Sequence, residues 1–361
     1  MTASQLAQAF PAGQQLAQEL AARNWTQADL AEILGRPTQF VSEIVAGKKE
    51  ITRESAAQLG VALGTTAEFW LKLQDAYYLW RQSQDVGRQI ELDEVRRRAR
   101  LNALAPISLL VRRGVISAGP LAQQERDILD LFDLPDIDSE PDFVVAARQS
   151  GDVGELSTTQ SAWVACVRKV AKKQSVGTYV AKQLTALGSE LPTMLKTPND
   201  FVKLPAVFAD AGVRLVYVEQ LPSSKIDGCS FVLDKTPVIG ISGRGKRLDK
   251  ILFTLLHEIS HVILGHVGVK QSPLIVEEVN GAEATHGREK DANSQAGAWV
   301  LPSTPFVPER VTSTWVDNTA REYDIAPIVL IGQLQKRGRL PWRTVLVKDA
   351  PTVDGELHAW V

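Results

Sequence analysis

Along residues 12–80, apolar positions recur three and four apart, at Leu16, Leu20, Leu30, Ile33, Leu34, Val41, Ile44 and Val45. That spacing marks one face of a helix, so the segment reads as a series of short helices. Thr26 is placed to cap a helix starting at Gln27, with Asp29 in its first turn. Gly35, Arg36 and Pro37 end it, because proline cannot continue a helix. Thr38 is expected to cap the next helix, Gln39 to Ala46, which Gly47 closes. Residues 81–199 read as mostly helical. From about residue 200 the period shortens. Val213, Leu215 and Tyr217 alternate with Val216 and Val218, which predicts a strand. Cys229 to Leu233 and Val238 to Ile241 read as a hairpin around Asp234, Lys235 and Thr236. A long apolar helix, about Leu248 to Leu264, follows, and Pro273 closes the loop after it. A second helix spans about Glu289 to Val300 and stops at Pro302. The tail predicts helices near Trp315 to Tyr323 and Ile328 to Lys336, and a short strand at Val345 to Val347. The expected fold class is α+β, with three parts: an all-α domain at 10–80, a mostly helical connector at 81–199 and an α+β domain at 200–361.

Composition narrows the classes. The 361 residues suggest two or three domains. Lys and Arg total 40 against 42 Asp and Glu, a net charge of −2, so a uniformly basic nucleic-acid coat is excluded. No run of apolar residues is long enough to cross a bilayer, and the N-terminus lacks a secretory pattern. Cys166 and Cys229 lie far apart and form no metal knuckle, so free thiols in a reducing cytoplasm are expected. Any metal must then be held by nitrogen and oxygen. An acidic stretch from Asp127 to Asp142, with Pro135 and Pro141, reads as the linker.

The sharpest chemical signal is His257-Glu258-Ile259-Ser260-His261. Helical residues turn about 100° each, so two histidines four apart share one face and can hold one Zn2+. Glu258 then sits within reach of a water at the metal. A third ligand is required. His266 would point about 140° away on a continued helix. The alternative spacing that places a third histidine at position 267 finds valine there. Glu289, 28 residues after His261 on the next helix, is the better choice. Glu283 and His286 are held in reserve. Asn293, one turn beyond Glu289, is expected to hydrogen-bond a ligand imidazole. Arg244, Lys246 and Tyr323 are possible stabilisers of developing negative charge, and nothing singles one out. The strands before the helix offer an edge for an extended peptide.

Three stretches, FADAGVRLVYVEQLPSSKIDGCSFVLDKTPVIGIS, FTLLHEISHVILGH and REKDANSQAGAWVLP, resemble the ImmA/IrrE family of zinc metallopeptidases. YDIAPIVLIGQLQKRGRL resembles that family's C-terminal segment, so the likeness covers roughly residues 200–348. It implies a zincin-like α+β domain, with ligands His257, His261 and Glu289 and Glu258 as general base. It also implies a protein substrate, often a repressor or antitoxin, cleaved under stress. Two departures are visible. Ser260 stands where the family usually has glycine, and Ser294 to Gly297 alter its FA-containing block.

The N-terminal TQADLAEILGRPTQFVSEIVAGKKEI has helix-turn-helix form, with Gln39 to Ala46 as recognition helix. Thr38, Gln39, Ser42 and Glu43 are expected to meet base edges, and Gln27, Lys48 and Lys49 to meet phosphates. Arg96 to Arg100 is a further basic cluster. The stretch is similar to XRE-type helix-turn-helix proteins, most closely the HigA-like antitoxins. That likeness implies double-stranded DNA, a possible toxin partner and a homodimer. Residues 1–80 hold six bases and eight acids, so any basic surface must come from local placement. No glycine-rich nucleotide loop and no serine nucleophile elbow occurs. The expected protein is a cytoplasmic transcription regulator with a zinc endopeptidase domain. The alternative is a regulator or antitoxin whose peptidase-like domain only senses or binds a partner.

Overall fold

The computed structural model describes residues 9–144, 156–268, 274–278 and 287–360. The chain divides into two compact units, Met1–Arg97 and Arg98–Val361. The first is helical: α1 (Ala12–Ala22), α2 (Gln27–Leu34), α3 (Thr38–Val45), α4 (Arg53–Leu63) and α5 (Ala67–Gln84). A sixth helix, α6 (Val86–Leu104), runs through the division. Thr26 and Asp29 form a reciprocal capping box, and Gly35 ends α2 at φ 62°, the left-handed region that suits glycine. Thr38 does not cap α3. It is the first helical residue, and Pro37 stands at the cap without a side-chain bond. Proline's fixed φ favours a helix entry, which moves the start one residue forward. Leu16, Leu30, Val41, Ile44, Leu59 and Trp70 form the core. Helix α1 approaches α3 so closely that a Cβ on Gly13 would lie 2.3 Å from the Ile44 carbonyl oxygen.

The second unit begins with α7 (Ile107–Arg112), α8 (Leu121–Phe132), α9 (Thr158–Ala171), α10 (Ala181–Met194) and α11 (Leu204–Asp210). Strands β1 (Arg214–Tyr217), β2 (Ile226–Leu233) and β3 (Thr236–Ile241) follow, then α12 (Leu248–Ile263), β4 (Leu274–Glu278) and α13 (Gly287–Val300). Three helices close the chain: α14 (Ser313–Glu322), α15 (Pro327–Lys336) and α16 (Asp354–His358). Sheet order is β1-β3-β2-β4, with β1 parallel to β3 and the other pairs antiparallel. The hairpin forms as expected with a tighter turn. Leu233 pairs with Thr236, and Asp234 and Lys235 both take positive φ, the geometry that matches strand twist. Strand β4 was not legible in the sequence. It covers β2, so the open edges among the described residues are β1 and β4. Pro273 lies outside the described residues. Val345–Val347 is a 3-10 turn capped by Thr344, not a strand. Among the described residues no helix is long and apolar enough to cross a membrane.

The sheet separates two apolar clusters. Val216, Cys229, Phe231 and Val238 join α9 on one side. Leu215, Ile239 and Ile241 join α10 and α12 on the other. Period-two alternation of the strands sets this division. The expected connector is therefore not a separate region, because α9 and α10 are layers of the second unit. Trp163 on α9 is 0% exposed, and its Nε1 donates to the Val218 carbonyl at 2.9 Å. The acidic stretch starts on α8 with Asp127 and Asp130 and runs on through the irregular segment after it, and both parts pair with bases, Lys169 to Asp130 at 2.6 Å and Arg100 to Asp138 at 2.8 Å.

Candidate metal centre

Helix α12 is buried on nearly every side, from Leu248 to Val262. A helix apolar all round belongs in the middle of a domain, so its few polar side chains must find partners there. Arg247 meets Asp249 bidentately at 2.7 and 2.6 Å, fixing the helix start. Ser260, the departure from the family pattern, donates to the Leu256 carbonyl one turn back at 2.7 Å. Its hydroxyl is thereby satisfied inside its own helix, and the metal-facing side is unchanged.

His257, Glu258 and His261 are all fully buried. The two Nε2 atoms face each other at 2.9 Å. Glu289 reaches them from α13, Oε2 at 3.2 Å from His257 Nε2 and Oε1 at 3.3 Å from His261 Nε2. Small residues bring it there: Ala292 and Ala296, both 0% exposed, sit one and two turns further along α13 and let α13 pack closely. Burial alone would raise the Glu289 carboxyl. The hydrogen bonds and charges of the two histidines outweigh it and hold the group well below the usual carboxylate range. Zinc bonds of about 2.1 Å in a tetrahedron put neighbouring donors roughly 3.4 Å apart. Two imidazoles and a carboxylate at 2.9 to 3.3 Å fit that donor set, and all three side chains offer atoms within 4.8 Å of one another.

The surroundings correct two expectations. His266 does not point away. Gly265 turns the chain at φ 69°, the His266 amide bonds back to the His261 carbonyl, and the two Nδ1 atoms meet at 3.0 Å. If His261 Nε2 is to bind a metal, its Nδ1 must carry the proton and donate, with His266 Nδ1 as acceptor. Burial first, then the charges of His261 and Arg288, lower the His266 pKa, which favours that neutral acceptor. Asn293 is drawn elsewhere: its Oδ1 accepts from Lys336 Nζ at 2.6 Å, which leaves the outer bond to His261 to His266. Glu283 and His286 lie outside the described residues. Arg244 pairs with Asp227 at 3.5 Å, Lys246 with Asp354 at 2.8 Å, and Tyr323 with Ser303 at 2.8 Å. None of these bonds leads to the histidines.

Ser230, which the sequence did not single out, donates to Glu258 Oε2 across from β2. Twenty-eight residues separate the two, so no local signal announces the contact. Gly228 on the same strand makes room: a Cβ there would stand 2.7 Å from Glu258 Oε1.

In the first unit, Thr38, Gln39, Lys48 and Lys49 are exposed and Gln27 and Ser42 half-buried. Glu43 occupies the middle of that face, accepting from Gln39 at 2.8 Å and facing Lys49 at 3.5 Å. The Gln39 bond, more than the lysines, holds its carboxyl below the usual range. In the basic cluster, Arg96 is paired to Asp93 and Arg100 to Asp138.

Comparisons agree with both parts. Residues 16–70 match the helix-turn-helix family. Over 67 residues the chain is 34% identical to YbaQ, an uncharacterized HTH-type transcriptional regulator of Escherichia coli, covering 19% of this chain and 59% of that protein. It is 43% identical over 53 residues to an HTH-type transcriptional regulator of Haemophilus influenzae, covering 15% of this chain and 50% of that one. The chain thus spans little more than half the length of the curated relatives it matches. An addiction-module antidote protein of the HigA family from Coxiella burnetii shares 37% identity over 24% of this chain and 94% of its own, with a TM-score of 0.22. Residues 209–330, which contain the histidines, Glu258 and Glu289, match the IrrE N-terminal-like domain of peptidase family M78. The chain therefore joins a helix-turn-helix domain of transcription-regulator type to an IrrE N-terminal-like, metallopeptidase-type domain.

Proposed function

We propose that this chain is a cytoplasmic transcription regulator whose second unit is a zinc-dependent endopeptidase that cleaves a repressor- or antitoxin-like protein. The carrying observation is the convergence of His257 Nε2, His261 Nε2 and both Glu289 oxygens within 2.9 to 3.3 Å. Bound there, zinc would supply Lewis acidity towards a peptide carbonyl and acidify a water. His257 and His261 hold their donor atoms on one helix face, and His266 keeps the His261 ring in the competent tautomer. Glu258 is the general base: it accepts the water proton and delivers it to the leaving amine. Ser230 donates to its Oε2 and so orients the carboxylate. The helix-turn-helix sets the chain on double-stranded DNA as a homodimer. Thr38, Gln39 and Ser42 meet base edges, and Gln27, Lys48 and Lys49 meet phosphates.

The first test is the metal content of protein purified without chelator. About one zinc per chain is expected, lost in both His257→Ala and Glu289→Ala. Glu258→Gln should keep the zinc and the fold and lose cleavage. Zinc-free wild type, even after zinc is supplied, would overturn the enzyme. The second reading is then favoured: a DNA-binding regulator or antitoxin whose peptidase-like domain holds a partner, such as a toxin, without turnover. The full burial of Glu258 is the observation on its side.

A further inference from the structure

One helical turn before the ligands, α12 borders a cavity of about 460 Å3. Asp227, Arg244, Lys250, Phe253, Lys336 and Trp342 are among its walls. Phe253 and Thr254 precede His257 and Glu258 by four residues, an advance of about 6 Å along the helix. The Phe253 and His257 rings lie 6.4 Å apart. Thr254 and Glu258 also adjoin on β2, where a Cβ on Gly228 would stand 2.9 Å from one and 2.7 Å from the other. Cavity wall and candidate metal centre therefore lie one helical turn apart on α12, the ligands themselves standing behind the lining rather than in it. An extended peptide advances about 3.3 Å per residue, so a side chain two residues from the reacting bond spans the distance.

The walls carry an excess of positive charge. Arg244, Lys250 and Lys336 face two carboxylates, Asp227 and Asp249. Asp249 is buried and already held by two guanidinium nitrogens, Nε and Nη2, of a further cation, Arg247. Arg244 stands 3.5 Å from Asp227, longer than a full charge-assisted bond. Lys336 Nζ lies 3.4 Å over the Phe253 ring while donating to Asn293, so it bridges α13, which bears Glu289, and the cavity wall. Lys250 is exposed at the rim, its stem beside Gly245. Phe253 and Trp342 add aromatic surface on which methylenes can pack.

We propose that this cavity binds an acidic side chain of an extended peptide, glutamate before aspartate, and is the specificity subsite of the peptidase; this rests on the peptidase reading above. The cations meet the carboxylate, and the aromatic walls take the longer glutamate stem.

The test is calorimetric binding to the full-length, zinc-loaded Glu258→Gln protein. The probes are terminally blocked octapeptides of alanine and serine carrying one Glu, Gln or Lys. The Glu peptides should bind about tenfold tighter than their Gln counterparts, and the Lys peptides more weakly still. Lys250→Glu combined with Arg244→Gln should abolish that order, and Lys173→Glu, outside the cavity, should leave it. Equal affinities, or a preference that survives the charge reversal, would overturn the proposal. So would free sulfate displacing the Glu peptides at equal concentration, which would mark a small-anion site. Cleavage by the wild type is read separately. Selective binding without cleavage keeps the acidic-peptide site and removes the peptidase; cleavage without acidic preference does the reverse.

Discussion

Gly228→Ala tests how the candidate general base is held. Gly228 lies on β2 against α12, and an added Cβ would stand 2.7 Å from Glu258 Oε1, 2.9 Å from Thr254 Cγ2 and 3.0 Å from Glu258 Cγ. Ordinary contact begins near 3.4 Å, so the carboxylate must retreat by about 0.7 Å, the difference between the two. Glu258 is 0% exposed and cannot swing into solvent. Overpacking a close-packed interior of this kind costs about 1–3 kcal/mol. In a unit the size of Arg98–Val361, that lowers its Tm by roughly 2–12 °C. A displacement approaching 1 Å at a catalytic group costs on the order of tenfold to a hundredfold in kcat. The ligands do not contact the new methyl, so zinc content should hold at the wild-type value. Gly297→Ala on α13 is the control, since its Cβ would meet only Gln333 Oε1 at 3.9 Å. Calorimetric melts, metal analysis and turnover of the cleaved protein would be measured for both variants. A Gly228→Ala protein with wild-type melting and wild-type turnover would refute the packing of Glu258 on β2. Equal losses in Gly297→Ala would show a general response to added methyls.

Three further outcomes are expected. Glu43→Gln removes a carboxylate from the recognition face, and operator affinity should rise about threefold to tenfold with little change in melting; an unchanged affinity would place DNA elsewhere. Trp163→Phe strips the donor from the half-buried Val218 carbonyl and should cost about 0.5–1.5 kcal/mol, whereas a connector residue would cost under about 0.5 kcal/mol. Burial pushes the Cys166 thiol up to about 12 and, with the Glu258 charge, pushes Cys229 well above its ordinary value. Both should therefore stay thiols at pH 8 and resist Ellman's reagent until denaturant is added, while rapid labelling of the native protein would contradict their burial.

The sequence alone carried whatever depends on short spacings. The four-residue interval between His257 and His261 fixed a shared helix face. The Thr26–Asp29 box and Gly35 fixed α2, and the turn residues at 234–236 marked the hairpin, though pairing of Leu233 with Thr236 tightened the turn to Asp234-Lys235. Glu289 was reachable too, because its charge opens a helix soon after the histidines. Tertiary structure decided the rest. Nothing local tells that Ser230 will meet Glu258, that Asn293 will be taken by Lys336, or that His266 will fold back once Gly265 turns the chain. Helix α9 read as connector because it is buried on nearly every side from Gln160 to Val167, with small and polar residues between Trp163, Val164 and Val167, so no single apolar stripe stands out. Periodicity reports which side of an element is buried, and hydrogen bonds inside a turn depend on neighbours in the chain. Which distant element supplies the other half of a buried contact depends on packing, where shape and polar satisfaction across the whole unit are settled together.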